Sequence, residues 1–123
     1  MVSSLVRVVY GATVTLLLTL VVTNQALGDD GTINNPTAGT QYLTNSTIGC
    51  GGTCMPFNAQ VFCRIRRGGK DGPVIKEAVG TAVMGTLGFT FEPPEGGWQV
   101  GDATVELQVG TSRVDCVAIV IVQ

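Results

Sequence analysis

The sequence predicts an all-β domain, an antiparallel β-sandwich of about seven strands. Three observations carry that expectation. Ala103, Val105, Leu107 and Val109 alternate with Thr104, Glu106 and Gln108, the period of a strand with one face in a core and the other towards water. Shorter runs of the same kind flank it, separated by glycine, proline and Asp-Gly turn signals, and the chain holds 17 glycines. No helical periodicity follows residue 28.

The start of the chain differs from the rest. Met1 to Arg7 is weakly basic, Val8 to Val22 is nearly continuous apolar sequence, and Asn24-Gln25-Ala26-Leu27-Gly28 supplies small residues before Asp29-Asp30. That is the order of a secretory signal, so residues 1–28 read as an N-terminal hydrophobic signal helix cleaved after Gly28, with cleavage after Ala26 the second choice. The alternative is a retained membrane anchor. Against it, the apolar run is short beside the ~20 residues of a span, and no basic stop-transfer cluster follows. Residues 29–123 are then an exported domain that is secreted, periplasmic or held at the cell surface. Its membrane contact is limited to the N-terminal segment if that is uncleaved.

The elements follow in order. Thr32 to Gly39 reads as a short first strand and a turn, with Pro36 suited to an edge. Gln41-Tyr42-Leu43 is a brief extended piece. Thr44 to Ile48 is expected as a weak second strand leading into a glycine-rich loop, Cys50-Gly51-Gly52-Thr53-Cys54. Ala59 to Arg67 is a strong strand, with Val61, Cys63 and Ile65 on one face and Phe62, Arg64 and Arg66 on the other. Arg67 to Pro73 is a turn with Asp71-Gly72 as its hairpin signal. Val74 to Val83 begins as a strand and fades. Gly85 to Glu92 turns Leu87, Phe89 and Phe91 inward, and Pro93-Pro94 end it because proline donates no ladder hydrogen bond. Trp98 and the Gly101-Asp102 turn precede the alternating strand. Thr111-Ser112-Arg113 then turns the chain into a last strand, Val114 to Val122.

Composition limits the chemistry. The chain has no histidine, which removes a Ser-His-Asp triad and the commonest metal ligand. The acid pairs Glu92/Glu95 and Asp102/Glu106 lack the spacing of a calcium loop, and Glu106 points outward from its strand. The expectation is a protein that is not an enzyme and carries no cofactor or metal. A net charge of −2 with no basic stripe argues against nucleic acid.

The four cysteines, Cys50, Cys54, Cys63 and Cys116, all follow the signal segment, which favours disulfides in an exported chain. Four cysteines allow three pairings; the preferred one is Cys50–Cys54 with Cys63–Cys116. The second link would contribute about 4 kcal/mol in the chain-entropy model. A zinc site is the rival reading, because Cys50 and Cys54 have knuckle-like spacing, but no second close pair accompanies them. Asn45-Ser46-Thr47 is a glycosylation sequon, of consequence only in a eukaryotic host.

Three features are candidate binding surfaces. Trp98, the lone tryptophan, either plugs one end of the sandwich or stacks on a sugar or peptide. Arg64, Arg66 and Arg67, with Lys70, form a basic edge that is either a solvated strand face or a site for an anionic partner. In the last strand, Val117, Ile119 and Ile121 alternate with Ala118, Val120 and Val122, and no lysine or proline blunts it. Such a strand is either internal or an edge that pairs with another chain.

At three places the layout resembles the bacterial immunoglobulin-like (fibronectin type III-like) modules of exported and cell-surface proteins. These are Ile33-x-x-Pro36-x-x-Gly39, then Gly88-Phe89-x-Phe91-x-Pro93-Pro94, then Gly97-Trp98-x-x-Gly101-Asp102-x-Thr104-Val105. It departs from antibody-type domains in having no Trp after Cys63 and Ala103 where those carry a corner tyrosine. The resemblance implies an immunoglobulin-like sandwich acting as a non-enzymatic binding or adhesion module for a protein or glycan at the cell surface. Two further functions stand beside that one. One is a structural subunit of an envelope assembly, a homo-oligomer joined through the last strand. The other is an accessory carbohydrate-binding domain with Trp98 as its platform.

Overall fold

A computed structural model describes residues 28–123 as an all-β fold of two sheets. The expected signal helix lies outside the described residues. Eight strands follow in chain order: β1 Asp30–Asn35, β2 Gln41–Leu43, β3 Ile48–Met55, β4 Gln60–Arg67, β5 Val74–Thr81, β6 Thr86–Phe91, β7 Gly101–Val109 and β8 Ser112–Val122. One sheet has the order β1-β3-β6 and the other β2-β8-β7-β4-β5. All pairings are antiparallel except β2 with β8.

The alternation in β7 does what its period requires. Ala103, Val105, Leu107 and Val109 are all buried, opposed by Val61, Cys63 and Ile65 of β4 on one side and by Val117 and Ile119 of β8 on the other. From the facing sheet Ile33, Ile48, Cys50, Leu87 and Phe91 close the core. Burying such branched and aromatic side chains contributes roughly 1.5–3 kcal/mol each.

Two of the crossings between the sheets have a clear local cause. β1 belongs to the three-stranded sheet, and after Pro36, which is fully buried, the chain crosses to run as β2 beside β8. It crosses again after β5, where Val83 and Thr86 exchange hydrogen bonds of 3.0 Å around Met84-Gly85. Both turn residues have positive φ, 52° at Met84 and 80° at Gly85, the two-residue primed geometry that suits a tight reversal.

Two sequence expectations are corrected. Thr44 to Ile48 is mostly turn, and Cys50-Gly51-Gly52-Thr53-Cys54 is not a loop but the body of β3, the central strand of its sheet. Its inward set, Ile48, Cys50, Gly52 and Cys54, keeps period two, but glycine hides it. The glycine has a packing reason: a Cβ at Gly52 would lie 2.2 Å from the Thr32 carbonyl oxygen, so β1 passes β3 only because no side chain is there. The register shift of β1 between Ile33 and Asn35 falls at this crossing.

Candidate functional site

Trp98 is a plug. It is 3% exposed; its indole Nε1 donates to the Ser46 carbonyl at 2.6 Å and its backbone N–H to the Thr44 carbonyl at 2.7 Å. It pins the β2–β3 turn and offers no face for a sugar to stack on, which corrects the platform expectation. Val117, Ile119 and Ile121 are corrected likewise. Ile119 and Ile121 are buried and Val117 packs on the core, all from the inner face of β8. β7 flanks β8 along one side, and on the other side β2 pairs with Val120 to Val122. Lower down, the Asp115 carboxylate accepts the Ile33 N–H at 2.7 Å, tying β8 to β1.

The arginines form an internal network on the outer face of the larger sheet. The register sets Arg64 beside Glu106 and Glu106 beside Cys116. Glu106 is only 2% exposed although it points away from the core. Its Oε2 accepts from Arg64 at 2.7 Å, and its Oε1 accepts from Arg66 at 2.8 Å and lies 3.3 Å from the Arg113 Nε. Arg64 also pairs with Glu77 and donates to Gln108 at 2.7 Å, with its guanidinium 5.4 Å from the Phe62 ring centre. Arg66 donates to the Gly72 carbonyl at 2.7 Å. Burial alone would raise the Glu106 pKa, but hydrogen bonds from Arg66 and Arg64 outweigh it and hold the carboxyl below its ordinary range. Arg64 and Arg66 are therefore committed within the domain and do not await an anion. Arg67 remains exposed at the strand end.

The cysteines are placed otherwise than expected, and all four are free thiols. Cys50 and Cys54 lie four residues apart on one strand, about 13 Å, beyond the ~7 Å Cα limit of a disulfide. Cys63 faces the core from β4, whereas Cys116, opposite Glu106, lies on the other face of the same sheet two strands away. Neither preferred pair can close. Cys50 and Cys63 are both buried in the core, from opposite sheets.

Among the described residues, one feature that resembles a binding site was not legible in the sequence. At the end of the sandwich where β3 stops, β6 starts and β1 begins, an open groove of about 290 Å³ is lined by Asp30, Thr32, Cys54, Met55, Phe57 and Met84 among others. Its apolar rim is in water: Met84 is 86% exposed, Phe57 61% and Met55 48%, with Val83 beside them at 70%. The backbone holds them together, since the Gly85 N–H donates to the Phe57 carbonyl and the Cys54 N–H to the Gly85 carbonyl, both at 2.8 Å. Gly85 has φ +80°, and a Cβ there would come within 3.0 Å of the Phe57 ring. Met55 ends β3, Phe57 lies in the turn after it, and Val83 and Met84 sit at the turn before β6, so no single run in the sequence announces the cluster. The available signal is apolar bulk, Phe57 and Met84, at turn positions where small polar residues are usual.

No protein-family model matches the chain, and no curated protein does. Eight chains of known structure match it. One is a chitin binding domain from Burkholderia pseudomallei, at 10% identity and a TM-score of 0.49, over 68% of this chain and 57% of that one. At that distance the ligand has to be argued from this chain's own surface.

Proposed function

We propose that the chain is a non-enzymatic binding module of immunoglobulin-like fold, exported to the cell surface or envelope, that takes an apolar side chain of a protein partner into the groove at its β3–β6 end. The order β1-β3-β6 against β2-β8-β7-β4-β5, with the first strand divided between sheets, supports the immunoglobulin-like assignment. The basic start, apolar run and small residues before Asp29 support export. The observation that carries the reading is the exposed group Met55, Phe57, Val83 and Met84 around a concave groove. Grouped apolar side chains of this size mark interaction sites more often than scattered ones do, and methionine adapts its shape to a partner. Glycan stacking on Trp98 loses its structural basis, because that side chain faces the core.

The test is selection of random displayed peptides against the purified protein. Selected peptides carry an apolar anchor and lose at least tenfold in affinity against Met84→Asp or Phe57→Ser, while Arg67→Ala binds them unchanged. Peptides indifferent to both groove substitutions would remove the reading.

A further inference from the structure

We propose that the chain's own apolar segment, Val8 to Val22, occupies the groove at the β3–β6 end while it remains attached to the domain. Its withdrawal then opens the site to a partner. This rests on the groove being the binding surface and adds how access to it is controlled. The place where the chain enters the fold carries the inference. Asp30, Gly31 and Thr32, the first residues of β1, line the groove together with Met55, Phe57 and Met84. Gly28 to Asp30 are exposed there. The chain therefore joins the domain at the rim of the groove, and the apolar run ends at Val22, seven residues short of Asp30.

Chemistry and length both fit. Val8 to Val22 holds no charged residue, and Leu16-Leu17-Leu18 is its bulkiest aliphatic stretch. The groove presents Met84 at 86% and Phe57 at 61% exposure, and among the described residues Asp30 is the one charged group in its lining. An apolar side chain laid there removes hydrocarbon from water on both sides of the contact. Twelve residues separate Leu18 from Asp30, a reach of roughly 40 Å when extended. The six residues of β6 span about 20 Å, so the run can turn back over the groove with chain to spare. On so short a tether its effective concentration is on the order of 1 mM. A separate partner at micromolar concentration competes poorly until cleavage after Gly28, or uptake of the run by a membrane, removes it.

The contact is tested on the full-length chain with Leu17 exchanged for the photocrosslinking residue p-benzoylphenylalanine. The expected product is a link within one chain to Met55, Phe57, Val83 or Met84. The consequence is tested with peptides selected against full-length Leu16→Asp/Leu17→Asp/Leu18→Asp, whose charged run no longer suits an apolar groove. Those peptides should bind the parent chain at least tenfold more weakly than the variant. That is the loss set by a tethered competitor at about 1 mM whose own Kd is about 0.1 mM. Cross-links that fall elsewhere on the domain or join two chains, or equal affinities for parent and variant, would overturn the inference. Peptides whose binding to the variant is indifferent to an added Met84→Asp would overturn the binding-surface reading beneath it instead.

Discussion

Replacing Glu106 by Gln removes one charge from a site 2% exposed and leaves three guanidinium groups around it. Removing one partner of a buried pair costs about 3–5 kcal/mol, because the charges left behind have lost their hydration without compensation. The Arg64 and Arg66 side chains are 15% and 19% exposed and recover part of that from water, which favours the lower end, about 3 kcal/mol. For a domain of this size that corresponds to a fall in Tm of about 15 °C. Glu77 is the internal control. It pairs with the same Arg64, but its side chain is 47% exposed, so Glu77→Gln should cost at most about 1 kcal/mol. A third variant separates charge from packing. Arg64→Met/Arg66→Met/Glu106→Leu exchanges the cluster for apolar bulk and should recover most of the loss. Urea denaturation of the three proteins decides it. Equal losses in Glu106→Gln and Glu77→Gln would refute the claim that Glu106 is a buried hub, and so would an apolar triple variant no more stable than Glu106→Gln.

Three further outcomes follow from the same structure. Stability should be level from neutral pH down to about 5 and then fall. A carboxyl whose folded pKa is below its unfolded value of about 4.3 contributes fully above that value and loses its contribution as pH drops through the folded one. Glu106→Gln should flatten that decline in an acid titration of the urea midpoint. Trp98→Ala should cost about 3–5 kcal/mol, and amide exchange should rise first in Thr44 to Thr47, the turn Trp98 pins. Gly52→Ala should cost about 3 kcal/mol and free β1 amides to exchange, since the new Cβ meets the Thr32 carbonyl; unchanged protection in β1 would contradict the close crossing.

The sequence made the fold legible wherever side chains carried the period. β7, β4 and β6 were readable because branched and aromatic residues alternate there. β3 was not, because the contact that requires Gly52 lies on β1 and replaces an inward side chain with nothing. The outward direction of Glu106 was readable from period two. Its burial was not, because it depends on Arg64 and Arg66 crossing from β4 and Arg113 from β8. The cysteine pairing failed for a related reason: spacing reports distance along the chain, not that Cys63 faces the core while Cys116 lies on the other face of the same sheet. The groove was the least legible feature. Met55, Phe57 and Met84 converge only because the Met84-Gly85 turn hydrogen-bonds to the loop carrying Phe57.

The central claim, that the β3–β6 end is the binding surface, is open to one direct measurement. The chain contains only three methionines, Met1, Met55 and Met84, and the last two line the groove. Methyl-labelled methionine therefore gives a spectrum of at most three signals, recorded as a selected peptide is added. Binding at the β3–β6 end should give saturable shifts of the Met55 and Met84 methyls that Phe57→Ser abolishes. Saturable binding that leaves both methyls unmoved would place the partner elsewhere and contradict it.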